Sequence, residues 1–185
     1  MSLRLSGFCL TVVLRPVSFH DGFADARRRS GLGHGAVDIG APEGTAVIST
    51  TGGTVVRTWT SRRERREVTG CGWSDSGGNV VVIDDGNGYA HYYAHMRDRP
   101  RVSPGDRVQP GTLLGYVSNQ GSLARGGPIH LHYQVWFIGA GRREEATTGV
   151  YTRPFGVNVD PYPQLRDLAA GLGARVGRDG GVFFR

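Results

Sequence analysis

The stretch of sequence that decides the fold is His130-Leu131-His132-Tyr133-Gln134-Val135-Trp136-Phe137. Successive side chains of a β-strand point to opposite faces of the sheet. The alternation places one set of side chains on one face (His130, His132, Gln134, Trp136) and the other set on the opposite face (Leu131, Tyr133, Val135, Phe137). We therefore predict a strand over residues 130–137 in which two imidazoles project side by side.

Further short strands are predicted from residue 44 onward, because β-branched and aromatic residues cluster between turn residues. They cover residues 45–49, 54–59, 79–84, 89–95, 107–108 and 113–117. Gly52-Gly53 is typical of a hairpin that joins the first two strands, and Gly86-Asn87-Gly88 is typical of a tight turn. One late helix is predicted where leucines and an alanine fall at helical spacing (Leu165, Leu168, Ala169, Leu172).

The segments outside these strands are interpreted as follows. A first strand is predicted within residues 8–14, followed by a polar loop over residues 18–33. Residues 61–67 form a charged insertion, which predicts an exposed loop. The pattern as a whole predicts a mostly β chain with no internal repeat and no second domain.

The composition bounds the class of protein. A chain of 185 residues has the length of one ordinary domain, and its 30 glycines indicate many tight turns. No run of about 18 apolar residues occurs, so no membrane span is predicted. Two cysteines, Cys9 and Cys71, exclude a disulfide-rich scaffold and a four-cysteine zinc site, and whether they pair stays open.

The basic residues exclude further classes. All 22 of them are arginines, so a Schiff-base lysine, a P-loop lysine and a lipoyl or biotinyl carrier domain are ruled out. The formal net charge of +6 favours an acidic partner such as an anionic wall polymer or a nucleic acid, but solubility and codon bias explain it equally well. The arginine clusters lack the interleaved aromatic residues of single-strand binders, and a nucleic-acid module leaves the histidines unexplained.

Five of the six histidines lie in three short segments. In the first segment His34 and Asp38 are four residues apart, and the glycines around them favour a bent loop that enters a strand. The third segment carries His130 and His132, which are close enough for one to bind a metal while the other reaches the water on that metal. The pattern therefore predicts a metal site built from these segments.

The middle segment carries His91 and His95. Regular alternation predicts that both share a face with Tyr93. His95 ends the predicted strand, where a side chain can overhang a groove. His91 and the isolated His20 are interpreted as non-catalytic.

Two histidines and one carboxylate are a common ligand set for a single zinc ion, with a fourth position left for water. The same set suits iron, so ligand type alone does not fix the metal. The surplus histidines favour a hydrolase. An oxygenase needs empty positions for oxygen and a cosubstrate, whereas a hydrolase needs a base and an oxyanion stabiliser beside the metal.

Motifs along residues 33–165 agree in order and spacing with those of a known family. They are His34-Gly35-Ala36-Val37-Asp38-Ile39, Ala41-Pro42-Glu43-Gly44-Thr45-Ala46-Val47, residues 78–83, Tyr93-Ala94-His95-Met96, the glycine-spaced turns of 102–115, His130-Leu131-His132-Tyr133-Gln134 and Asn158-Val159-Asp160-Pro161. With these motifs the chain resembles the lysostaphin/LytM-like zinc metalloendopeptidases, which cut peptidoglycan peptides. It departs from the family pattern at positions that hold none of these histidines and not Asp38: Ala36 replaces a glycine, Ile129 a proline and Gln134 a glutamate, and Asp84-Asp85-Gly86 stands for D-H-G. Residues 61–67 and the tail after Leu168 have no counterpart in the family pattern.

The resemblance implies a fold and a site. The implied fold class is mostly β, a compact antiparallel β-sheet or β-sandwich-like single domain with a shallow groove and few short helices. Its predicted parts are an N-terminal strand and loop packing on the core (1–32), a metallopeptidase core (33–165) and a C-terminal helix or tail (166–185). The implied ligands of one Zn²⁺ per chain are His34, Asp38 and His132. His95 and His130 are then the catalytic pair, and the resemblance does not divide the roles of base and oxyanion stabiliser between them.

The function implied is zinc-dependent hydrolysis of a peptide stem or cross-bridge of bacterial peptidoglycan, as in a cell-wall hydrolase or a phage lysin. The alternative is a catalytically silent wall-binding, amidase-activating or phage-tail module, although such members typically lose metal ligands. The expected location is extracytoplasmic (secreted, in the cell wall or virion-associated), with no convincing signal peptide, no nucleic-acid partner and no membrane span. The bond that is cut and the oligomeric state stay open.

Overall fold

The computed structural model describes residues 17–23, 34–60, 77–121, 126–139 and 157–184. These contain twelve strands: β1 (Val17–Phe19), β2 (Val37–Gly40), β3 (Ala46–Ile48), β4 (Gly53–Trp59), β5 (Asn79–Asp84), β6 (Tyr89–Arg97), β7 (Arg107–Val108), β8 (Leu113–Val117), β9 (His130–Phe137), β10 (Val157–Val159), β11 (Arg175–Val176) and β12 (Val182–Phe184). One helix, α1, spans Tyr162–Gly171. Cys9, Cys71, the strand predicted within residues 8–14 and the charged insertion at 61–67 lie outside the described residues.

The strands form one sheet in the order β11-β12-β1-β2-β9-β6-β5-β4-β7, and every strand pairing among the described residues is antiparallel. Strand β9 lies at its centre. One edge of β9 pairs with β6; the other pairs with β2 along residues 130–133 and with β10 along residues 135–137. The mostly β, antiparallel fold class is thereby confirmed.

The alternation predicted along β9 separates two apolar clusters. The odd-numbered side chains Leu131, Tyr133 and Val135 belong to the larger core. On the opposite face Trp136 packs into a smaller cluster with Trp59, Val80, Val82, Ala90 and Ala94. The two histidines of β9 lie on this second face, so the sheet presents them away from the main core.

Strands β5, β7, β8 and β9 have the predicted bounds, and the tight turn at residues 86–88 joins β5 to β6 as predicted. The hairpin predicted across Gly52-Gly53 is wrong, because β3 pairs with β8 while β4 pairs with β5 and β7. The intervening Thr50 is fully buried, and its hydroxyl oxygen lies 2.8 Å from the hydroxyl oxygen of Tyr93. These buried polar contacts hold the segment inside the molecule instead of in a two-residue turn.

The ends of the described chain also pack on the core. The polar loop predicted over residues 18–33 is wrong at its start, because Ser18 and Phe19 belong to β1 and Phe19 is buried. The predicted helix is confirmed; Leu165 and Ala169 face the core, while Leu172 follows the last turn and is exposed. The main core contains residues from all three predicted parts of the chain, 1–32, 33–165 and 166–185. None of the described helices is long and apolar enough to cross a membrane.

Candidate metal centre

The pairing of β2 with β9 brings two of the predicted metal ligands together. Asp38 on β2 lies directly opposite His132 on β9 in the strand register. Opposed residues of an antiparallel pair project to the same face, so a sequence separation of 94 residues is closed by two adjacent strands. Gly40 lies opposite His130, which leaves room beside that imidazole.

His34 completes the group from the loop before β2. Its Nε2 lies 3.1 Å from Oδ1 of Asp38 and 3.1 Å from Nδ1 of His132, and that Nδ1 lies 3.0 Å from the same Oδ1. Ligands at the zinc distances of about 2.0–2.2 Å lie about 3.4 Å apart around a tetrahedral ion. The three donor atoms are therefore spaced as ligands of one small divalent cation are.

The protonation of His34 fits this role. Its Nδ1 lies 3.2 Å from the carbonyl oxygen of Gly22, to which it donates a hydrogen bond. In a neutral imidazole the other nitrogen, Nε2, then carries the lone pair. Metal-binding histidines are commonly fixed by such a bond from the second ring nitrogen. A donor set of two neutral imidazoles and a carboxylate suits zinc.

Gly35 allows the loop to reach this position. Its φ of +68° is left-handed, a conformation that glycine adopts without strain. Ala36, which departs from the family pattern, is fully buried and has no positive φ. The conformational freedom that the loop needs is thus supplied at residue 35, and the departure at residue 36 leaves the ligand geometry intact.

The two spare histidines share a second arrangement. Nδ1 of His95 donates to the carbonyl oxygen of Gln120 at 2.7 Å, and Nδ1 of His130 donates to that of Pro128 at 2.8 Å. Each neutral ring therefore keeps the lone pair on Nε2. The rings lie 5.0 Å apart, and Nε2 of His130 is 3.6 Å from Oδ1 of Asp38. Two proton acceptors thus stand beside the three candidate ligands.

His95 reaches this group through an irregular backbone. Its φ of +63° is left-handed, and the β5–β6 register shifts between Asn79 and Val81. The prediction that His95 shares a face with His91 and Tyr93 is therefore wrong. The ring of His95 lies 5.6 Å from that of His132, on the face opposite Tyr93.

His91 is buried on the core side of the sheet, away from the candidate ligands. Its Nδ1 lies 2.9 Å from the hydroxyl oxygen of Tyr133, which is also 3.1 Å from the hydroxyl oxygen of Thr50. Nε2 of His91 lies 3.9 Å from a carboxylate oxygen of Asp85. These contacts account for His91 as part of a buried polar network. His20 is exposed in the segment after β1.

The pKa values of the group follow from burial and mutual contact. Burial raises the pKa of Asp38, but the adjacent imidazoles of His132 and His34 lower it more, so it lies well below the usual range. Burial lowers the pKa of His132. Burial and the neighbouring His132 lower the pKa of His95 to about 4. At neutral pH Asp38 is therefore ionised and His132 is neutral, which are the states in which these two residues bind a cation.

We expect the metal-free protein to lose stability as the pH falls from about 6.5 to about 4. A histidine whose folded pKa is depressed stays neutral while the unfolded chain binds a proton, so stability is complete above the unfolded pKa and is lost below it. For His95 the shift to about 4 corresponds to a loss of about 3 kcal/mol.

Urea unfolding at several pH values, in the presence of a chelator, measures this loss. The control is His95→Asn, since asparagine tolerates the left-handed backbone at this position. The variant is expected to show a shallower pH dependence between pH 6.5 and 4. Parallel curves for the two proteins would contradict the assignment of the shift to His95.

Two kinds of feature of the site were not found from the sequence. The carbonyl groups of Gly22, Gln120 and Pro128 orient the histidines, and backbone acceptors leave no signal in side-chain chemistry. The left-handed conformation of His95 was also missed. The one sequence feature that could have indicated this conformation is a histidine at the end of a predicted strand, because histidine is among the residues that tolerate positive φ.

Comparison with known proteins identifies the family of the chain. The family model described as peptidase family M23 matches residues 32–144. The L-Ala--D-Glu endopeptidase of Bacillus subtilis (strain 168) is 32% identical over 155 residues, which cover 80% of this chain and 40% of that protein. The chain thus spans less than half the length of this curated relative.

Solved structures share the fold. The catalytic domain of lysostaphin from Staphylococcus simulans has a TM-score of 0.53 at 24% identity, covering 76% of this chain and 84% of that one. A catalytic-domain variant of the prophage-encoded M23 protein EnpA from Enterococcus faecalis has a TM-score of 0.51 at 23% identity, covering 77% of this chain and 88% of that one. The family match covers more than half of the sequence and confirms the family predicted from the motifs. The chain belongs to peptidase family M23.

Proposed function

We propose that this chain is a zinc-dependent endopeptidase that hydrolyses peptide bonds of bacterial peptidoglycan. The observation that carries the proposal is the convergence of three donor atoms within 3.1 Å of one another beside two further imidazoles. The relatives support the reaction class: one is named an L-Ala--D-Glu endopeptidase, and lysostaphin is named an antimicrobial peptidase. The substrate is then a peptide stem or cross-bridge of the cell wall, and the protein acts outside the cytoplasm.

His34, Asp38 and His132 would hold the zinc ion. A bound zinc ion supplies Lewis-acid chemistry, which acidifies water and polarises a carbonyl oxygen. The carboxylate of Asp38 offsets part of the positive charge. Its side chain is 28% exposed, so the site is open to a substrate from the solvent side.

His95 and His130 would move the protons. Each presents an unprotonated Nε2, so either can take a proton from the attacking water. The resulting imidazolium can stabilise the oxyanion or protonate the leaving amine. Because backbone carbonyl groups fix both rings through Nδ1, the exchange takes place at Nε2 in each residue.

The test combines metal analysis with digestion. Purified protein is expected to carry close to one zinc per chain, and zinc-loaded protein is expected to cut purified muropeptides, with mass spectrometry identifying the bond. The test includes walls of several cross-bridge types, because the relatives leave the cleaved bond open.

Absence of zinc, or one iron per chain instead, would contradict the proposed metal centre. Zinc binding without cleavage of any wall type would instead favour the alternative, a catalytically silent wall-binding, amidase-activating or phage-tail module. The two results are distinguishable because metal content and cleavage are measured separately.

A further inference from the structure

One edge of the central strand β9 is shared by two short strands. Strand β2 pairs with residues 130–133 of that edge, and β10 pairs with residues 135–137. Gln134 lies between the two pairings, on the same face as the candidate ligand His132. This edge of β9 therefore changes its pairing partner from β2 to β10 at residue 134, beside the candidate metal centre.

A side-chain hydrogen bond spans this junction. Nε2 of Gln134 donates to Oδ1 of Asn158, the middle residue of β10, at 2.8 Å. Both amides also pack against the loop that precedes β2. A Cβ atom at Gly35 would lie 2.5 Å from Nδ2 of Asn158 and 3.2 Å from Nε2 of Gln134. The amide pair therefore packs directly on the backbone of Gly35.

Gly35 follows His34, the candidate ligand that the sheet fixes least. Asp38 and His132 face each other across paired strands, whereas His34 lies outside any strand. On the side of Gly22 and Phe23 the loop is tied by backbone carbonyls: Gly35 N donates to the oxygen of Phe23 at 2.9 Å, and Nδ1 of His34 donates to that of Gly22. The amide pair supplies a second support.

We propose that Gln134 and Asn158 are positioning residues that hold His34 in place for metal binding. This inference rests on the proposed function, since it takes His34 as a zinc ligand. Mutation of a side chain that orients a metal ligand typically lowers metal affinity about 10- to 100-fold. Loss of the amide pair leaves His34 free to move away from Asp38 and His132, and the affinity for zinc falls.

The experiment measures zinc affinity by competition with a chromophoric chelator, together with thermal unfolding of the metal-free protein. Gln134→Leu and Asn158→Ala are each expected to weaken zinc binding about 10-fold. The double variant is expected to be little weaker than either single one, because the two side chains act as one unit. Gln134→Glu loses the donor, but its carboxylate can accept a hydrogen bond from Nδ2 of Asn158 once that amide turns over, so its zinc affinity is expected to stay within about threefold of wild type.

Gln109→Leu is the matched control. It makes the same change at an exposed position next to β7, the edge strand of the sheet, and is expected to bind zinc as the wild type does. Single variants that bind zinc within about twofold of wild type would overturn the proposal, whether or not their metal-free forms unfold earlier. A wild-type protein that does not bind zinc would refute the proposed function itself, which is a separate result.

Discussion

Replacing His132 with alanine is expected to abolish both metal binding and peptide hydrolysis. His132 supplies one of three converging donor atoms, with Nδ1 at 3.0 Å from Oδ1 of Asp38 and 3.1 Å from Nε2 of His34. Two donors remain after the change, and the positively charged ion is then held by one imidazole and one carboxylate. Mutation of a residue that only orients a metal ligand lowers metal affinity about 10- to 100-fold. Loss of a ligand itself is therefore expected to weaken zinc binding more than about 100-fold.

The measurement is metal content after dialysis, with zinc affinity from chelator competition and cleavage of muropeptides. Metal-free wild-type protein is the reference for folding, since His132 is packed against Tyr92 and His95 and its removal also leaves a space. Far-UV circular dichroism of both metal-free proteins separates misfolding from ligand loss. A folded His132→Ala protein that keeps one tightly bound zinc would show that the ion lies elsewhere.

The part of this site that sequence predicts is the part set by local geometry. Two histidines separated by one residue on a regular strand must share a face, and His130 and His132 do. That argument needs only strand periodicity. It fails at His95, where a left-handed backbone and a register shift turn the ring to the other face. The motif resemblance, which does not depend on periodicity, assigned His95 to the same site.

Strand periodicity does not predict which distant strands pair with each other. The contact between Asp38 and His132 depends on β2 pairing with β9, and nothing in either segment alone selects the other as its partner. The wrong hairpin at Gly52-Gly53 has the same origin. A two-glycine turn favours neighbouring strands, but the buried hydrogen bonds of Thr50 to Tyr93 and Tyr133 draw the segment inward and outweigh this local preference.

Unlike His132→Ala, the substitution His130→Ala is expected to leave zinc bound and to remove activity. His130 lies beside the ligands, but its Nδ1 donates to the carbonyl oxygen of Pro128 and its Nε2 stays 3.6 Å from Oδ1 of Asp38, farther than the three converging donors are from one another. In the proposed mechanism its loss therefore removes a proton carrier and not a ligand. Positioned acid–base groups contribute about 10²- to 10⁴-fold, so cleavage is expected to fall by that factor.

His95→Ala provides the comparison that identifies the pair. If His95 and His130 act as one unit, the double variant cleaves scarcely more slowly than the slower single variant, because effects within a catalytic unit are not additive. Zinc content near one per chain is expected in all three proteins. If His130→Ala loses zinc as completely as His132→Ala does, then His130 is itself a ligand and the division between the two histidines of β9 is wrong. If it keeps zinc and cleaves at the wild-type rate, proton transfer belongs to His95 alone.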